Sequence, residues 1–495
     1  MSEITGTENN LRGLAGVGTL LDDAPTSRFH RRAVVVSGIG FFTDAYDLFV
    51  ISTVAALVTT QWHLSSAQES WVSGSTILAA FLGAVVFGRA ADVVGRKKVY
   101  AIVAAIMIAG AIGSALAPNF AVLVVARFIL GLGVGGDYPV SAVLMSEYAN
   151  RRDRGRLVAM VFSMQALGLV VGPLVAIGLL GAGVPDSATW RILLGLGAVP
   201  AAAVVYIRSR MPESPRFRAG VLGDAAGAAR DAASFSDGVI AHHSVAPSSA
   251  RRIGVREFLS DSRMLALMLG TAGSWFLFDY AYYGNTLSLP AILKAVDPGA
   301  SLVGKLALSL VMFVVFAVPG YGLAVARMDR VGHRRLQLMS FVVLAVTFGV
   351  LGAVPALTAN VGAFVAIFGL SYFFVEFGPN TTTFVLPSEV FPVSVRTTGH
   401  GLAAGLGKLG AFAGVFLVPL LQAHIGLRGM LGVAAGAAVV GALATLVLPE
   451  PARRSLEEVA GDEMPGRGEA PLSVASTGAT GLLTAPAERS LAAGG

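Results

Sequence analysis

The stretch GRAADVVGRKK (residues 88–98) separates two long apolar runs, and a related stretch, DRVGHRR (residues 329–335), separates two others. The acidic residues that align in the two stretches, Asp92 and Asp329, lie 237 positions apart. Other residues recur at nearly the same distance: Glu147 and Arg154 as Glu389 and Arg396, and the dipeptide at 212–213 as the one at 449–450. A repeat of this length predicts two homologous halves that each contain several helices.

The composition is that of a membrane protein. Of the 495 residues, 55% are hydrophobic and only 13% are charged, whereas soluble domains contain roughly 25% charged residues. The basic residues behind the net charge of +6 form short clusters between apolar runs, as in membrane-protein loops, so we exclude nucleic-acid binding. The absence of cysteine excludes disulfides and thiolate metal sites. The scattered histidines predict no metal site, and no cofactor is indicated.

Twelve runs are long and apolar enough to span a bilayer, which takes about 20 residues. They cover residues 33–59, 70–91, 99–117, 120–146, 156–182, 188–208, 264–292, 303–326, 336–354, 359–386, 397–423 and 428–448. The gaps after the odd-numbered runs hold one basic residue, Lys294, whereas the other gaps are rich in Arg and Lys. Because basic loops stay in the cytoplasm, both termini are predicted to be cytoplasmic, in a plasma (bacterial inner) membrane.

We therefore predict an all-α membrane protein with twelve transmembrane helices in two pseudo-symmetric six-helix halves, at residues 28–208 and 264–458. The hydrophilic stretch 209–263 is rich in Ala, Ser, Gly and Arg and is predicted to be a cytoplasmic connector. Residues 1–27 and 459–495 lack a long apolar run and are predicted to be disordered cytoplasmic tails. The first 27 residues also lack the apolar core of a signal peptide.

Ionisable residues inside a span are functional candidates, because a charge is costly in a membrane. Trp275, Asp279 and Tyr283 recur every four residues and line one face of the seventh span. They offer donors and one titratable acceptor, which suits an oxyanion that carries hydroxyl groups; an aromatic packing face is the alternative. Lys408, in the eleventh span, can bind an anion, pair with a carboxylate such as Asp279, or reach the membrane surface.

Acidic residues of the first half are candidates for proton coupling. Asp44 and Asp47 lie three apart on one face of the first span and should titrate as a coupled pair, the property that a proton carrier needs. A salt bridge to another span is the alternative. Asp137, in the fourth span, either borders a cavity or neutralises Arg127 or another basic residue. Glu376, in the tenth span, suggests no role.

Other polar residues suggest binding or gating. Gln165 and Asn380 can each donate and accept hydrogen bonds, either to a ligand or between helices. Charge pairs near helix ends can lock one conformation and release another. The gating candidates are Asp92 with Arg96 and Glu147 with Arg154, together with their repeats Asp329, Arg330, Glu389 and Arg396.

From about residue 30 to 458 the chain resembles a major facilitator superfamily transporter. The motif at 88–98, its repeat at 329–335 and the sequence PESPR at 212–216, which sugar porters share, carry this resemblance. The stretch GGDYPVSA (135–142), followed by Ser146 and Glu147, is similar to the signature of the phosphate:proton symporter family, as is DAYDLF at 44–49. The superfamily motifs do not indicate a substrate, whereas the symporter signature does.

The symporter resemblance implies uptake of inorganic phosphate together with H⁺ by alternating access. Arsenate, which matches phosphate in charge and nearly in size, is expected to be accepted, and no obligate protein partner is expected. The implied phosphate ligands are Tyr138, Gln165, Trp275, Asp279, Tyr283 and Asn380. The implied proton-coupling residues are Asp44, Asp47, Asp137 and Asp279, with Lys408 beside the site.

Two other functions stay open. One is proton-coupled symport of another small solute, such as an aromatic acid, another organic anion or a sugar. The other is a phosphate receptor that signals through the connector or the tails. An enzyme is disfavoured, because the sequence contains no His/Glu metal pair, no Ser/His arrangement and no nucleotide-binding loop. No catalytic residue is therefore predicted.

Overall fold

The structure, a computed structural model, describes residues 21–209, 211–235, 253–299 and 301–461, and every regular element in these ranges is a helix. Ten helices are long and apolar enough to cross a bilayer. The first five are α1 Arg28–Trp62, α2 Ala67–Val94, α3 Arg96–Ala115, α4 Phe120–Tyr148 and α5 Arg154–Gly181. The others are Ser262–Leu287, Val303–Val331, His333–Ala353, Val361–Val390 and Arg396–Thr445.

Two irregularities reconcile these ten helices with the twelve predicted spans. The sixth run consists of two short helices, Asp186–Leu196 and Ala198–Ser209, which together form α6. The last helix, Arg396–Thr445, contains Gly426 in a non-helical conformation (φ 72°, ψ 172°), so it is two helices, α11 and α12. The helices between them are α7 Ser262–Leu287, α8 Val303–Val331, α9 His333–Ala353 and α10 Val361–Val390. The predicted fold class is confirmed.

The two charged motifs occupy equivalent positions in the two halves. Gly95 (φ 109°) joins α2 to α3, and Gly332 (φ 100°) joins α8 to α9. Positive φ at these values favours glycine because it has no Cβ. In the first half Glu213 accepts a hydrogen bond from the backbone N–H of Lys97, and in the second half Glu450 accepts one from that of His333. The repeat in the sequence is thus a repeat in structure.

The halves are in contact at both ends of the helices. At the end that carries the motifs, here called the charged end, α2 meets α11 through small residues. A Cβ on Gly401 would lie 2.3 Å from the carbonyl oxygen of Ala84, so only glycine allows this approach. Towards the opposite end, the ring of Phe49 in α1 lies within 6.3 Å of the rings of Tyr282 and Tyr283 in α7. The space between the halves is therefore closed at both ends.

Four of the long helices, α5, α7, α8 and α10, are interrupted. A break at Met164 divides α5 immediately before Gln165. In α10 the break falls at Gly378 (φ −119°, ψ −103°), between Glu376 and Asn380. Segments of π-helix at 269–273 in α7 and 313–317 in α8 rotate the faces that follow them. Irregular backbone at this depth is typical of transporter binding sites.

Parts of the predicted tails and connector are ordered. Residues 21–27 fall in the described ranges, and Asp22 is buried with its carboxylate 2.6 Å from Arg154 and from Arg216. The prediction that all of 1–27 is disordered is therefore wrong for these seven residues, because ion pairs hold them. The connector contains short helices at Pro215–Gly220, Ala225–Phe235 and Val255–Ser260. Residues 1–20, 236–252 and 462–495 lie outside the described residues.

Candidate functional site

A chain of hydrogen bonds crosses the boundary between the halves near the middle of the helices. In the first half, Tyr138 donates to Asp44 (2.5 Å), and Gln165 donates through Nε2 to the Tyr138 hydroxyl (3.3 Å). In the second half, Tyr321 donates to Gln165 Oε1 (3.2 Å) and accepts from Asn380 Nδ2 (2.8 Å). All five side chains are buried. Three of the six predicted ligands thus lie in one network that involves α1, α4, α5, α8 and α10.

The predicted cation lies beside this network. The Lys408 ammonium donates to Asp279 (3.2 Å) and to the hydroxyl of Tyr283 (2.8 Å). The same nitrogen lies 4.6 Å from the centroid of the Tyr138 ring, which is within the range of a cation–π interaction. Lys408 therefore pairs with the carboxylate that the sequence suggested and touches residues from both halves.

Trp275 completes the predicted ligand set on α7. Its side chain is 2% exposed, and its ring lies 6.2 Å from that of Tyr138. A Cβ on Gly407 would come 2.6 Å from a ring carbon of Trp275, so the glycine leaves room for the indole against α11. The structure thus brings all six predicted ligands together: on α7, Trp275 and Tyr283 contact rings of the first half, and Asp279 contacts Lys408.

The acidic residues of the first half have different partners from one another. Asp47 pairs with Arg127 at 2.6 Å, which is the interhelical salt bridge considered as the alternative to a coupled pair with Asp44. Asp137 pairs with Arg208, at 2.8 Å, and not with Arg127. Within the described residues, no Lys, Arg or His nitrogen lies within 4.0 Å of the carboxylate of Asp44. Of the three buried aspartates near the middle of this half, Asp44, Asp47 and Asp137, only Asp44 is thus without an ion-pair partner.

Sequence reasoning missed Arg208, Tyr282 and Tyr321. Arg208 lies at the end of a predicted span, where a basic residue is ordinarily a loop residue, yet it is 1% exposed and bound to Asp137. Tyrosines in apolar runs are ordinarily taken as packing residues. The sequence does not show which way Tyr282 and Tyr321 point, because the π-helical segments that precede them in α7 and α8 rotate the helix faces that follow.

At the charged end, Glu147 is the centre of a buried cluster. It accepts hydrogen bonds from Arg96 (3.3 Å) in its own half and from Arg396 (3.2 Å) in the other half. Asp92 forms an ion pair with Arg96 (3.0 Å) and accepts a hydrogen bond from the backbone N–H of Thr398, across the boundary, at 2.6 Å. The predicted pairing of Asp92 with Arg96 is therefore present, and both acidic residues also reach the opposite half.

The other gating candidates are arranged differently from the sequence pattern. Arg154 does not pair with Glu147, because it binds Asp22 instead. Glu389 pairs with His333 (2.8 Å), and Asp329 contacts His333 and accepts from the backbone N–H of Gly155 in the other half (3.1 Å). Arg330 is exposed. Seven of the eight candidates thus form buried or partly buried contacts at this end.

Replacing Glu147 with Gln should open the charged end. The substitution removes the carboxylate that both Arg96 and Arg396 contact in the closed arrangement. Because an unpaired buried charge costs several kcal/mol, the closed arrangement becomes less stable and its population falls. Because the chain has no cysteine, Ser388→Cys provides a background-free reporter at a buried contact between the halves. We expect at least a tenfold faster reaction of this thiol with a polar maleimide in the Glu147→Gln background. Equal rates in both backgrounds would show that Glu147 does not hold this end closed.

Two repeated helix bundles, a polar cluster enclosed between them and ion pairs that close one end are the features of a membrane transporter that works by alternating access. The model of the sugar (and other) transporter family matches residues 33–462. The chain belongs to that family of major facilitator transporters, and it is a transporter and not an enzyme.

Known proteins resemble the chain over most of its length. It is 35% identical to a protein of Arabidopsis thaliana named probable inorganic phosphate transporter 1-6, over 90% of this chain and 96% of that protein. It is 36% identical to the low affinity inorganic phosphate transporter 8 of Medicago truncatula, over 90% and 93%. A solved structure of the proton:xylose symporter XylE superposes with a TM-score of 0.75 at 20% identity and covers 88% of this chain and 99% of XylE. This last similarity supports the fold alone.

Proposed function

We propose that this chain imports inorganic phosphate together with protons by alternating access. The observation that carries the proposal is the enclosed Lys408–Asp279 pair with hydrogen-bond donors from both halves around it. Relatives that match about nine tenths of this chain and are named phosphate transporters support it. The proposed ligands are the six residues Tyr138, Gln165, Trp275, Asp279, Tyr283 and Asn380. Of the predicted proton-coupling residues Asp44, Asp47, Asp137 and Asp279, we propose Asp44 as the proton carrier, because the other three are held in ion pairs.

The chemistry of the cluster suits dihydrogen phosphate. This ion has charged oxygens that accept hydrogen bonds and two hydroxyl groups that donate them. Tyr, Trp, Gln and Asn side chains supply donors, and ionised Asp279 can accept from a phosphate hydroxyl. Sulfate carries no such proton at neutral pH, so it would face the carboxylate without a bridging hydrogen bond. Arsenate has the same protonation pattern as phosphate and should compete with it.

The ion pairs indicate how transport proceeds. Protonation of Asp44 removes a negative charge next to Tyr138 and allows the anion to bind between the halves. Bound phosphate competes with Asp279 for Lys408, and the halves then move about the bound ion. When Asp279 recovers Lys408 at the other side, as in the closed arrangement (3.2 Å), phosphate is released.

The proposed setting follows from the basic loops. The charged end, with the Arg-rich motifs, would face the cytoplasm, together with both termini and the connector 209–263. Residues 28–208 and 264–458 would be the two moving halves in a plasma membrane, the inner membrane if the source is a bacterium. The lipid bilayer would be their surroundings, and the fold gives no reason to require a protein partner.

Competition in exchange assays tests the substrate. Purified protein in liposomes loaded with phosphate should exchange it for external radiolabelled phosphate. Unlabelled arsenate should inhibit the exchange, whereas sulfate and xylose at the same concentration should not. Exchange of xylose without exchange of phosphate would assign the chain to the sugar-transporting members of its family and overturn the proposal.

A further inference from the structure

Glu376 is a buried carboxyl group at the site for which the mechanism above has no role. It lies in α10, two residues before the break at Gly378, and is 0% exposed. The Tyr282 hydroxyl donates to its Oε1 (3.1 Å), and Asn380, one of the proposed ligands, donates to its Oε2. Glu376 is therefore in direct contact with the proposed phosphate site from the second half.

The surroundings of Glu376 contain hydroxyl and amide groups but no cation. Within the described residues, no Lys, Arg or His nitrogen lies within 4.0 Å of its carboxylate. The groups that face it are Tyr282 from α7, Tyr321 from α8, and Tyr372 and Asn380 from α10. The backbone of α8 also packs closely here, because a Cβ on Gly320 would lie 3.1 Å from the Cβ of Glu376. A neutral Glu376 needs no counter-ion, so these surroundings suit the protonated form of the side chain.

A count of the enclosed charges singles out two carboxyl groups. Five buried carboxyl groups lie near the middle of the helices, and three of them are in ion pairs: Asp47 with Arg127, Asp137 with Arg208 and Asp279 with Lys408. Among the described residues, Asp44 in the first half and Glu376 in the second half have no basic nitrogen within 4.0 Å, although Lys408 acts on Asp44 at longer range. An anion that enters this site would add a further negative charge to two carboxylates that have no ion-pair partner. Because charge separation in a membrane interior is costly, both groups must be neutral when phosphate is bound.

We propose that Glu376 carries a second coupling proton, so that two protons accompany each dihydrogen phosphate ion, one on Asp44 and one on Glu376. This inference rests on the proposed function. A proton binds to a carboxylate oxygen of Glu376 when the site is open to the side of higher proton activity, and the same O–H bond breaks on the other side. An Asn380 side chain turned by 180° presents Oδ1 to the protonated oxygen, so the contact persists in both forms.

The proposed stoichiometry has an electrical consequence. Two protons and one monoanion move one net positive charge inward in each cycle. Accumulation by the wild type should therefore rise about tenfold for each 59 mV of inside-negative membrane potential. The variant Glu376→Gln cannot carry its proton but keeps a similar shape and hydrogen-bonding capacity. It should take up one proton with each phosphate, which is electroneutral, and its accumulation should not respond to the potential.

The test compares proteoliposomes at a fixed pH gradient with and without a potassium diffusion potential set by valinomycin. Glu69→Gln, the same chemical change in the first turn of α2, is the matched control and should respond like the wild type. Retained uptake by Glu376→Gln with loss of the response supports the proposal. The same response in Glu376→Gln as in the wild type, or no response in the wild type, overturns it and leaves phosphate transport intact.

Phosphate exchange separates a coupling role from a structural one. Exchange without a gradient needs binding and movement of the halves but no net proton transfer. If Glu376→Gln shows no net uptake, retained exchange supports the coupling role, whereas loss of exchange by the folded protein overturns it. Absence of exchange in the wild type would instead contradict the proposed function itself.

Discussion

Replacing Asp279 with Asn should abolish phosphate transport and destabilise the protein. The substitution leaves the Lys408 ammonium, 2% exposed, without its carboxylate at 3.2 Å. Removal of one partner of a buried ion pair costs about 3–5 kcal/mol. The Asp279 carboxylate both accepts from a phosphate hydroxyl and competes for Lys408, so the substitution removes both functions. We expect the rate of uptake to fall at least about 100-fold, a factor equivalent to roughly 2.7 kcal/mol. Uptake of radiolabelled phosphate and thermal unfolding in detergent measure the two effects.

A double variant separates the two effects. In Asp279→Asn/Lys408→Met neither charge is left unpaired, so the midpoint of thermal unfolding should recover most of the loss. Transport should not recover, because the pair itself acts in the cycle. Restored uptake in the double variant, or normal accumulation by Asp279→Asn alone, would contradict the assigned roles of both residues.

Replacing Asp44 with Asn should remove one coupling proton and keep binding. In the wild type the Tyr138 hydroxyl donates to Asp44 Oδ2 at 2.5 Å, and the side-chain oxygen of asparagine can accept the same hydrogen bond. One pH unit is worth about 1.36 kcal/mol for each proton. At zero membrane potential and a gradient of one unit, the limit of accumulation should therefore fall about tenfold relative to the wild type. The variant Asp44→Asn/Glu376→Gln should not accumulate phosphate at all.

Phosphate exchange is again the control for the Asp44 variants. Both should exchange internal for external phosphate, because neither change removes a proposed ligand. Asp47→Asn is an unsuitable control, since it would leave Arg127 unpaired at 0% exposure. Undiminished accumulation by Asp44→Asn would show that its carboxyl group does not carry a coupling proton.

The fold and the centre of the site could be predicted because they follow from local rules. Apolar length sets the number of spans, and spacing of four residues places Trp275, Asp279 and Tyr283 on one helical face. For Lys408 the sequence left three alternatives, and a pair with a carboxylate such as Asp279 was one of them, because a charge is costly in a membrane. The structure has this pair, and it has all six predicted ligands in one cluster.

The partners of the other charges could not be predicted because they depend on how the helices pack. Glu147 and Arg154 are seven positions apart in the sequence, yet a loop lies between them and Arg154 reaches the segment before α1. Asp22 lies in a stretch whose composition indicates disorder, but two buried arginines bind it. Glu376 suggested no role in the sequence because two of its partners, Tyr282 and Tyr321, come from α7 and α8, and their contacts with α10 depend on how the helices pack.

Gradient-driven uptake is the most direct test of phosphate:proton symport. Proteoliposomes that contain the wild-type protein receive an inward proton gradient and external radiolabelled phosphate, with and without a protonophore. We expect accumulation above the external concentration that collapses when the protonophore is added. Uptake that merely equilibrates, and does so equally with and without the protonophore, would contradict it.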